Sequence, residues 1–363
     1  MRSDYRVTQI SAGNKPAIHN HYDICPESPD GQQVIYFSFL GAPPSPGVVT
    51  IVNRDGQRER RVGLTTYGSV ERGANQQWVD QGHVAYHTQS EAGPVTIVVS
   101  LQDGKRLQMP GNLRMFAPAH AKGLYASPAA RHLGGCCQLE AVYVTDFDAR
   151  DTCPVLVREE VVASHPLASQ FPTDAPPAFT QVKWSPDGSR LLAVLSNANY
   201  AAQHPTARRI HSLFVAKADG TELRYLGEFG RQPMWSPDGS FVHTLDAHPS
   251  GQEALVAHPI DGGEARILFA QVPGLHPSLH PDGQRVLTDV TDWPTAGQAA
   301  VVLYEPNGID FAVLAAWATA SGGAQPRYHA HPAWSRDGRR VYLNAVEGDV
   351  VRLFAVDAGE RGF

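Results

Sequence analysis

A five-residue turn motif recurs along the chain at a nearly constant spacing. Trp-Ser-Pro-Asp-Gly occupies 184–188 and 235–239, and Trp-Ser-Arg-Asp-Gly occupies 334–338. Related copies, some of them degenerate, have Asp-equivalent positions at 30, 81, 129, 187, 238, 282 and 337. Successive positions are 44 to 58 residues apart, which is the period of propeller blades. The chain therefore consists of seven similar units.

A second series of turns, of the Asp-Gly or Asn-Gly type, alternates with the first. Its members lie at 54–56, 102–104, 148–150, 218–220, 261–263, 306–308 and 357–359. Such turns are strong β-hairpin signals. Two hairpin turns in each of seven units predict four-stranded blades, so we expect an all-β, seven-bladed β-propeller. Phe311 to Ala318 has a helical pattern, and we expect a short helix there.

The two ends of the chain are predicted to share the last blade. The chain ends too soon after Asp357 to supply a fourth strand, whereas Arg6 to Ile10 has strand character. An N-terminal strand in the last blade would cover an otherwise exposed sheet edge. We therefore expect residues 1–363 to form a single propeller domain. The alternative, two separate β domains, would need a linker that interrupts the repeat.

The composition argues against several classes of protein. Hydrophobic residues make up 42% and charged residues 18% of the chain, the opposite of a disordered sequence. A formal charge of −6 argues against nucleic acid or an anionic membrane as a partner. No stretch approaches the ~18 apolar residues of a spanning helix, and no apolar signal region opens the chain. We expect a cytoplasmic protein, or a periplasmic one if a signal was removed; the oligomeric state stays open.

The first turn series also identifies the side chains that line one rim of the predicted channel. The position six residues before each Asp is occupied by Ile24, Asn75, Gly123, Gln181, Gln232, His276 and His331. Two residues earlier stand Tyr22, Gly73, Ala121, Phe179, Gly230, Gly274 and His329. This rim collects amides and imidazoles. The candidates for substrate binding there are Tyr22, Asn75, Gln181 and Gln232.

Three histidines on neighbouring blades of this rim form a candidate metal site. His329 and His331 project to the same side of a strand because they are two residues apart, and His276 is the equivalent residue of the preceding blade. Neutral imidazole ligates manganese, zinc, iron and nickel. Gln325, in the preceding loop, is a candidate fourth ligand. The alternative is a group of solvated loop histidines, because chance pairs are common among 16 histidines.

Other polar residues predicted at the rim are candidates for catalysis. His87 lies near the end of the second strand of its blade, beside Asn75, and His21 precedes the first inner strand. Arg208 and Arg209 lie in an insertion of the fourth blade. Each of these residues, taken alone, is more often a hydrogen-bonded surface group than a catalytic one.

The sequence resembles the seven-bladed propeller polysaccharide lyases, and the oligogalacturonate lyases in particular. The segments that carry the resemblance are His-Pro-Ser-Leu-His-Pro-Asp-Gly at 276–283 and His-Ala-His-Pro-Ala-Trp-Ser-Arg-Asp-Gly at 329–338. The stretches at 19–23 and 73–78 are more similar to propeller lyases that act on glucuronate-containing glycans.

The resemblance implies a manganese ion held by three histidines and a glutamine. The equivalent residues here are His276, His329 and His331, with Gln325 one residue further away than the family pattern expects. The family also has a catalytic histidine at the channel position of the fifth blade, where this chain has Gln232. The catalytic base would then be another rim histidine.

The reaction implied by the resemblance is β-elimination on an acidic oligosaccharide. A divalent cation on the C6 carboxylate of a uronate delocalises charge while a base removes the C5 proton. We expect His87 as the base, His21 as second choice, and Arg208 or Arg209 on the substrate carboxylate. The alternative function is that of a non-catalytic TolB-like propeller, which binds a protein or glycan on the same rim.

Overall fold

The computed structural model contains seven antiparallel sheets of four strands each. It describes residues 1–91, 93–117, 122–126, 139–146, 151–171, 176–204, 206–248, 251, 253–272, 274–292, 295–306, 308–319 and 328–358. The predicted turns at 127–129 and 148–150, and parts of those at 306–308 and 357–359, lie outside these residues. Within the described ranges, no helix is long and apolar enough to cross a membrane.

Each of the first three sheets is formed by four strands that follow one another in the chain. The first sheet contains β2 (Ala17–Ile18), β3 (Gln33–Phe39), β4 (Gly47–Asn53) and β5 (Arg60–Thr65). The second contains β6 (Gln77–Trp78), β7 (His83–Ser90), β8 (Gly93–Ser100) and β9 (Arg106–Pro110). The third contains β10 (Met115–Ala117), β11 (Lys122–Ala126), β12 (Ala141–Asp146) and β13 (Asp151–Val157).

The next three sheets have the same sequential strand order. The fourth contains β14 (Ala178–Trp184), β15 (Arg190–Ser196), β16 (His211–Lys217) and β17 (Arg224–Glu228). The fifth contains β18 (Arg231–Trp235), β19 (Phe241–Ala247), β20 (Glu253–Pro259) and β21 (Arg266–Phe269). The sixth contains β22 (Ser278–Leu279), β23 (Val286–Thr291), β24 (Gln298–Tyr304) and β25 (Phe311–Ala318).

The seventh sheet joins the two ends of the chain. It contains β26 (Ala333–Trp334), β27 (Arg340–Glu347), β28 (Val350–Asp357) and, as its outer strand, β1 (Arg6–Gln9). The register pairs Arg6 with Asp357 and Gln9 with Phe354. The prediction that an N-terminal strand completes the last sheet is confirmed, because β1 pairs with the edge of β28 that would otherwise be exposed.

Helical structure is short and confined to connections. The described helices are α1 (Arg158–Ala163), α2 (Ala198–Gln203) and a 3₁₀ turn (Ala168–Gln170). The helix predicted at Phe311–Ala318 is wrong, because this segment is strand β25 and pairs with β24 along its length. Its buried Leu314 and Trp317 pack in the core between the sixth and seventh sheets. Sheet pairing and burial therefore override the helix propensity of its alanines.

The recurring turn motif is held by a repeated set of hydrogen bonds. In the turn that starts at Ser185, the Ser185 hydroxyl donates to Asp187 Oδ1 at 2.6 Å. Asp187 Oδ1 also accepts from the Ser189 amide at 3.0 Å, and Ser185 Oγ accepts from the Arg190 amide at 2.9 Å. Gly188 has a φ of +69°, which glycine adopts without a steric penalty. The Ser-x-Asp-Gly pattern thus supplies both the side-chain acceptors and the left-handed residue.

A buried carboxylate ties the first sheet to the seventh. Glu27 has no exposed surface, and its carboxylate accepts from the Tyr342 hydroxyl at 2.6 Å and from the Arg336 amide at 2.9 Å. The Arg54 guanidinium lies 3.0 Å from the same carboxylate. Burial, followed by the charge of Glu27, raises the pKa of the Tyr342 hydroxyl. A buried charge is tolerated here because every contact is hydrogen-bonded or paired.

The chain divides into two compact units. One contains residues 1–91, 96–108 and 269–363, and the other contains 92–95 and 109–268. Apart from a few strand ends, the first unit holds the first, second, sixth and seventh sheets, and the second unit holds the third to fifth. The first unit also contains the four histidines of the candidate site: His21, His276, His329 and His331.

We predict that deletion of residues 1–10 lowers the melting temperature, because β28 would lose its partner strand and present an open edge. Thermal unfolding followed by circular dichroism measures the effect. Deletion of residues 1–4, which precede β1, is the matched control and should have a smaller effect. An unchanged melting temperature after deletion of residues 1–10 would contradict the closure role of β1.

Candidate functional site

Four histidine side chains converge next to the first, sixth and seventh sheets. His21 follows β2, His276 precedes β22, and His329 and His331 precede β26. The ring centroid of His331 lies 4.5 Å from that of His21 and 4.4 Å from that of His276. The ring of His329 lies 5.1 Å from that of His276. We call His21, His276, His329 and His331 the histidine cluster.

The backbone at His331 is in an unusual conformation. Its φ is +46°, in the left-handed region that non-glycine residues rarely adopt. Asn75, at the equivalent position of the second sequence repeat, has a φ of +51°. Such backbone strain persists only where surrounding contacts hold it, and it is concentrated at functional sites. At His331 one such contact is the backbone amide, 3.3 Å from Asp289 Oδ2.

Buried carboxylates determine which ring nitrogen of two cluster histidines carries the proton. His276 Nδ1 lies 3.0 Å from Asp289 Oδ1, and His21 Nδ1 lies 2.9 Å from Asp23 Oδ1. The side chains of Asp289 and Asp23 are only 4% and 1% exposed, so water does not replace these contacts. Because a carboxylate accepts but cannot donate, each Nδ1 is the donor and each Nε2 keeps its lone pair.

Burial favours the neutral form of two cluster histidines, His21 and His331, while the neighbouring Asp289 carboxylate stays ionised. Burial lowers the pKa of His21 well below its usual value, against the opposing charge of Asp23. Burial also lowers the pKa of His331. Burial opposes ionisation of Asp289, but the neighbouring His276, His331 and His329 lower its pKa to about 2. At neutral pH the imidazoles of His21 and His331 are therefore neutral beside the buried negative charge of Asp289.

Glu71 completes the cluster on its exposed side. Its Oε2 lies 3.4 Å from His329 Nδ1 and 3.2 Å from His331 Nε2. The Glu71 side chain is 43% exposed and that of His331 is 1% exposed, so Glu71 faces solvent. Although partial burial opposes it, contact with His329 and His331 lowers the pKa of the Glu71 carboxyl. Glu71 lies on a tight loop that two backbone hydrogen bonds close between Ser69 and Gly73.

The cluster has the donor set of a site for a divalent cation. The ligand atoms of His21, His276 and His331 lie within 4.8 Å of one another, and so do those of Glu71, His329 and His331. Neither ring nitrogen of the buried His331 makes a hydrogen bond of acceptable geometry among the described residues. Imidazoles whose second nitrogen donates to a carboxylate are the usual ligand arrangement in metal sites. The residues present therefore fit a divalent first-row transition metal, manganese included.

The structure brings together the three histidines that the sequence singled out as metal ligands. His276, His329 and His331 all belong to the histidine cluster, and Gln325 lies outside the described residues. His21, considered above as a base, lies among the candidate ligands. Glu71 was missed, because it lies in a loop that has no counterpart in the turn repeat.

A row of buried amides connects the histidine cluster to His87. Asn20 Oδ1 accepts from the His21 amide at 2.8 Å, and Asn20 Nδ2 lies 3.3 Å from Asn75 Oδ1. Asn75 Nδ2 lies 3.2 Å from His87 Nε2. The predicted substrate residue Tyr22 is buried, with its ring 5.0 Å from that of His276. The first compact unit therefore places three of the predicted residues around the cluster: Asn75, His87 and Tyr22.

Four further predicted residues belong to the second compact unit. There, Arg208 donates to Gln170 Oε1 at 2.6 Å and lies 3.6 Å from Glu228, and Arg209 is exposed. Gln181 is half-buried on β14, and Gln232 on β18 has a φ of +57°. The functional roles of Gln181, Gln232, Arg208 and Arg209 stay predictions.

Comparison with known proteins finds similarity only at the level of structure. No protein-family model matches the sequence, and no curated protein does. An oligogalacturonate lyase from Vibrio parahaemolyticus superposes with a TM-score of 0.70 at 12% identity, over 100% of this chain and 97% of that chain. An oligogalacturonate lyase in complex with manganese superposes with a TM-score of 0.68 at 12% identity, over 99% of this chain and 94% of that chain. A chain of the Mitotic Checkpoint Complex superposes with a TM-score of 0.53 at 12% identity, over 97% of this chain and 93% of that chain.

These similarities concern the fold. At 12% identity they establish that this chain is an all-β protein of the β-propeller type, as the turn repeat predicts. Propellers with similar strand arrangements carry unrelated functions, so function has to be argued from the site. The histidine cluster, with its buried carboxylates, is the feature from which we argue.

We predict that His331→Ala strongly reduces the metal content of the protein while the fold is kept. His331 belongs to both groups of candidate ligands, so its removal affects every arrangement that the cluster allows. Elemental analysis of protein purified without an affinity tag measures the metal. His280→Ala is the matched control, because His280 lies in a repeat turn, with its Nε2 3.2 Å from the Gly338 carbonyl oxygen. Equal metal content in wild type and His331→Ala would contradict the site.

We also predict that Asp289→Ala weakens the binding of manganese by ~10–100-fold, although Asp289 would not itself touch the metal. The variant removes the acceptor that orients His276 and the Asp289 contact to the His331 amide. Calorimetric titration of the metal-free protein measures the affinity. A melting temperature recorded on the same sample separates this effect from unfolding, and an unchanged affinity would show that Asp289 does not orient a ligand.

Proposed function

We propose that this protein is a metal-assisted lyase that cleaves uronic-acid-containing oligosaccharides by β-elimination. The observation that carries the proposal is the buried histidine cluster, in which carboxylates fix Nδ1 of His21 and His276. The similarity in fold to oligogalacturonate lyases, one of them in complex with manganese, supports the choice of reaction and metal. The TolB-like binding protein is the alternative outcome of the tests below.

The candidate ligands provide nitrogen on the buried side and an exchangeable oxygen on the exposed side. On the buried side, the cation would be held by His21, His276 and His331. On the exposed side, the candidate ligands are His329 and Glu71. When bound, the cation supplies positive charge for the C6 carboxylate of a uronate, which stabilises the anion formed at C5. Glu71 occupies the solvent side, where a substrate carboxylate would approach.

An acidic substrate also needs positive charge from the protein. Arg72 follows Glu71 in the loop closed between Ser69 and Gly73. Burial has the largest effect in lowering the pKa of His21, and the positive charge of Arg72 lowers it further. A guanidinium binds a carboxylate through two parallel hydrogen bonds. We therefore propose Arg72 as a further candidate for binding the substrate carboxylate.

Catalysis would also require a side chain beside the cation that does not itself ligate it. Among the predicted catalytic histidines, His87 lies outside the candidate ligand groups, whereas His21 is a member of one. His87 is 5% exposed and connected to the cluster through Asn75 and Asn20. We therefore retain His87 as the leading catalytic candidate.

The proposal includes the architecture expected from the repeat. We propose that the seven sheets are the blades of one ring formed by residues 1–363. Similarity to single lyase chains over 100% and 99% of this sequence supports that reading.

We expect the protein, supplied with manganese, to form a 4,5-unsaturated product from at least one uronic-acid oligosaccharide. The ultraviolet absorbance of the new double bond measures the reaction across a panel of galacturonate and glucuronate oligosaccharides. His331→Ala should be inactive on the same substrate, and His280→Ala should be active. If metal-loaded wild type forms no unsaturated product from any member but binds one of them, the binding-protein alternative is correct.

We further expect His87→Ala to lower turnover by ~10²–10⁴-fold with little change in metal affinity. The imidazole is buried beside the cluster but does not belong to either group of candidate ligands. Steady-state kinetics and metal titration of the same preparation measure the two effects. Normal turnover in His87→Ala together with an inactive, metal-loaded His21→Ala would move the catalytic role to His21.

A further inference from the structure

In the row of buried amides beside the histidine cluster, only one assignment of the amide oxygen and nitrogen atoms fits the contacts. Asn20 is 1% exposed and meets two backbone groups of fixed character. The His21 amide, which can only donate, lies 2.8 Å from Asn20 Oδ1. The Gln76 carbonyl oxygen, which can only accept, lies 3.1 Å from Asn20 Nδ2. Exchange of the oxygen and nitrogen of Asn20 would break both contacts, so backbone chemistry fixes this amide.

The orientation of Asn20 fixes that of Asn75. Asn20 Nδ2 lies 3.3 Å from Asn75 Oδ1 and can only donate to it. Exchange of the oxygen and nitrogen of Asn75 would bring two N–H donors against each other at a site where Asn75 is 2% exposed. Asn75 Nδ2 must therefore be the atom that lies 3.2 Å from His87 Nε2. Since an amide nitrogen donates, His87 Nε2 is the acceptor.

We infer that His87 is held as the neutral tautomer with its proton on Nδ1, and that it serves the reaction as a hydrogen-bond donor and not as the base. The lone pair of Nε2 already accepts from Asn75, and Nδ1 carries the proton. A base needs a free lone pair, which this tautomer does not offer. A neutral imidazole N–H can instead stabilise an oxygen on which negative charge develops.

The backbone around His87 keeps this arrangement in place. The His87 amide donates to the Ala74 carbonyl at 2.7 Å, and the His87 carbonyl accepts from the Thr65 hydroxyl at 2.7 Å. The Tyr67 ring packs edge-on to the imidazole, with ring centroids 5.5 Å apart. The backbone hydrogen bonds fix the main chain, and packing against Tyr67 opposes a flip of the ring, which would place a carbon in front of Asn75 Nδ2 in place of Nε2.

The tautomer is independent of the proposed function, but its role as a donor in the reaction rests on that function. A direct test of the tautomer is a long-range proton–nitrogen correlation spectrum of the full chain, labelled on histidine nitrogen, near neutral pH and without added metal. His87→Gln identifies the His87 signals by their loss. We expect a protonated Nδ1 and an unprotonated Nε2; a protonated Nε2 would overturn the inference.

His165 provides an internal reference of the opposite tautomer. Its Nδ1 accepts from the Leu167 amide at 2.8 Å, so its proton must be on Nε2, which lies 2.8 Å from Ser212 Oγ. The same spectrum should therefore contain both patterns, one for His87 and the other for His165. If His165 shows the expected Nε2 proton and His87 shows it too, the amide row does not control His87.

Asn75→Asp tests the cause of the tautomer. The substitution replaces the donor facing His87 Nε2 by an acceptor of nearly the same shape. We expect the proton of His87 to appear on Nε2 in this variant. Gln77→Glu is the matched control, because it adds the same charge at a neighbouring buried amide, and it should leave the tautomer unchanged. An unchanged His87 in a folded Asn75→Asp protein would overturn the inferred cause.

Turnover distinguishes a donor from a base once a substrate is known. Asparagine carries an N–H donor close to the position of Nδ1 but cannot accept a proton. We expect His87→Asn to keep turnover within ~10-fold of wild type, where His87→Ala loses the ~10²–10⁴-fold stated above. Equal loss in the two variants would overturn the donor role. If no substrate is found, the proposed function fails while the spectrum still decides the tautomer.

Discussion

The pairing of β1 with β28 is the contact on which the candidate site depends. It brings the N-terminal segment into the seventh sheet, and the chain then enters the first sheet at β2. His21 follows β2 directly, so it lies beside His331 although 310 positions separate them in the sequence. Buried Glu27, which contacts Tyr342 and Arg54, holds the same junction. The pairing that completes the seventh sheet therefore also brings His21 next to His331.

The chemistry of the site follows from buried acceptors that face one nitrogen of an imidazole. Asp289 and Asp23 keep the protons of His276 and His21 on Nδ1, which leaves the Nε2 lone pair of each ring available for a ligand. At His87 the partner is the Asn75 amide, a donor. It occupies the Nε2 lone pair instead of leaving it available. Histidines of identical intrinsic chemistry thus differ in whether the Nε2 lone pair is available, and the contacting group decides this.

The sequence predicted the fold class well because the turns that define it are local. Ser-x-Asp-Gly contains its own hydrogen-bond acceptors and its own left-handed glycine, so its positions could be read without knowledge of the rest of the chain. The segment Phe311–Ala318 was mistaken for a helix because its pattern alone does not reveal the β24 strand beside it. His276 and His331 could be singled out as candidate ligands for the same reason as the turns, since they occupy equivalent repeat positions.

The sequence by itself determined the turn series, the strand character of the segments between them and the alignment of His276 with His331. Only the tertiary structure decided that His21 joins these residues, that Glu71 faces them from a loop, and that carboxylates set their tautomers. The physical reason is the range of each interaction. Turn hydrogen bonds join residues a few positions apart, whereas the proton on a ring nitrogen depends on a partner brought close by sheet packing alone.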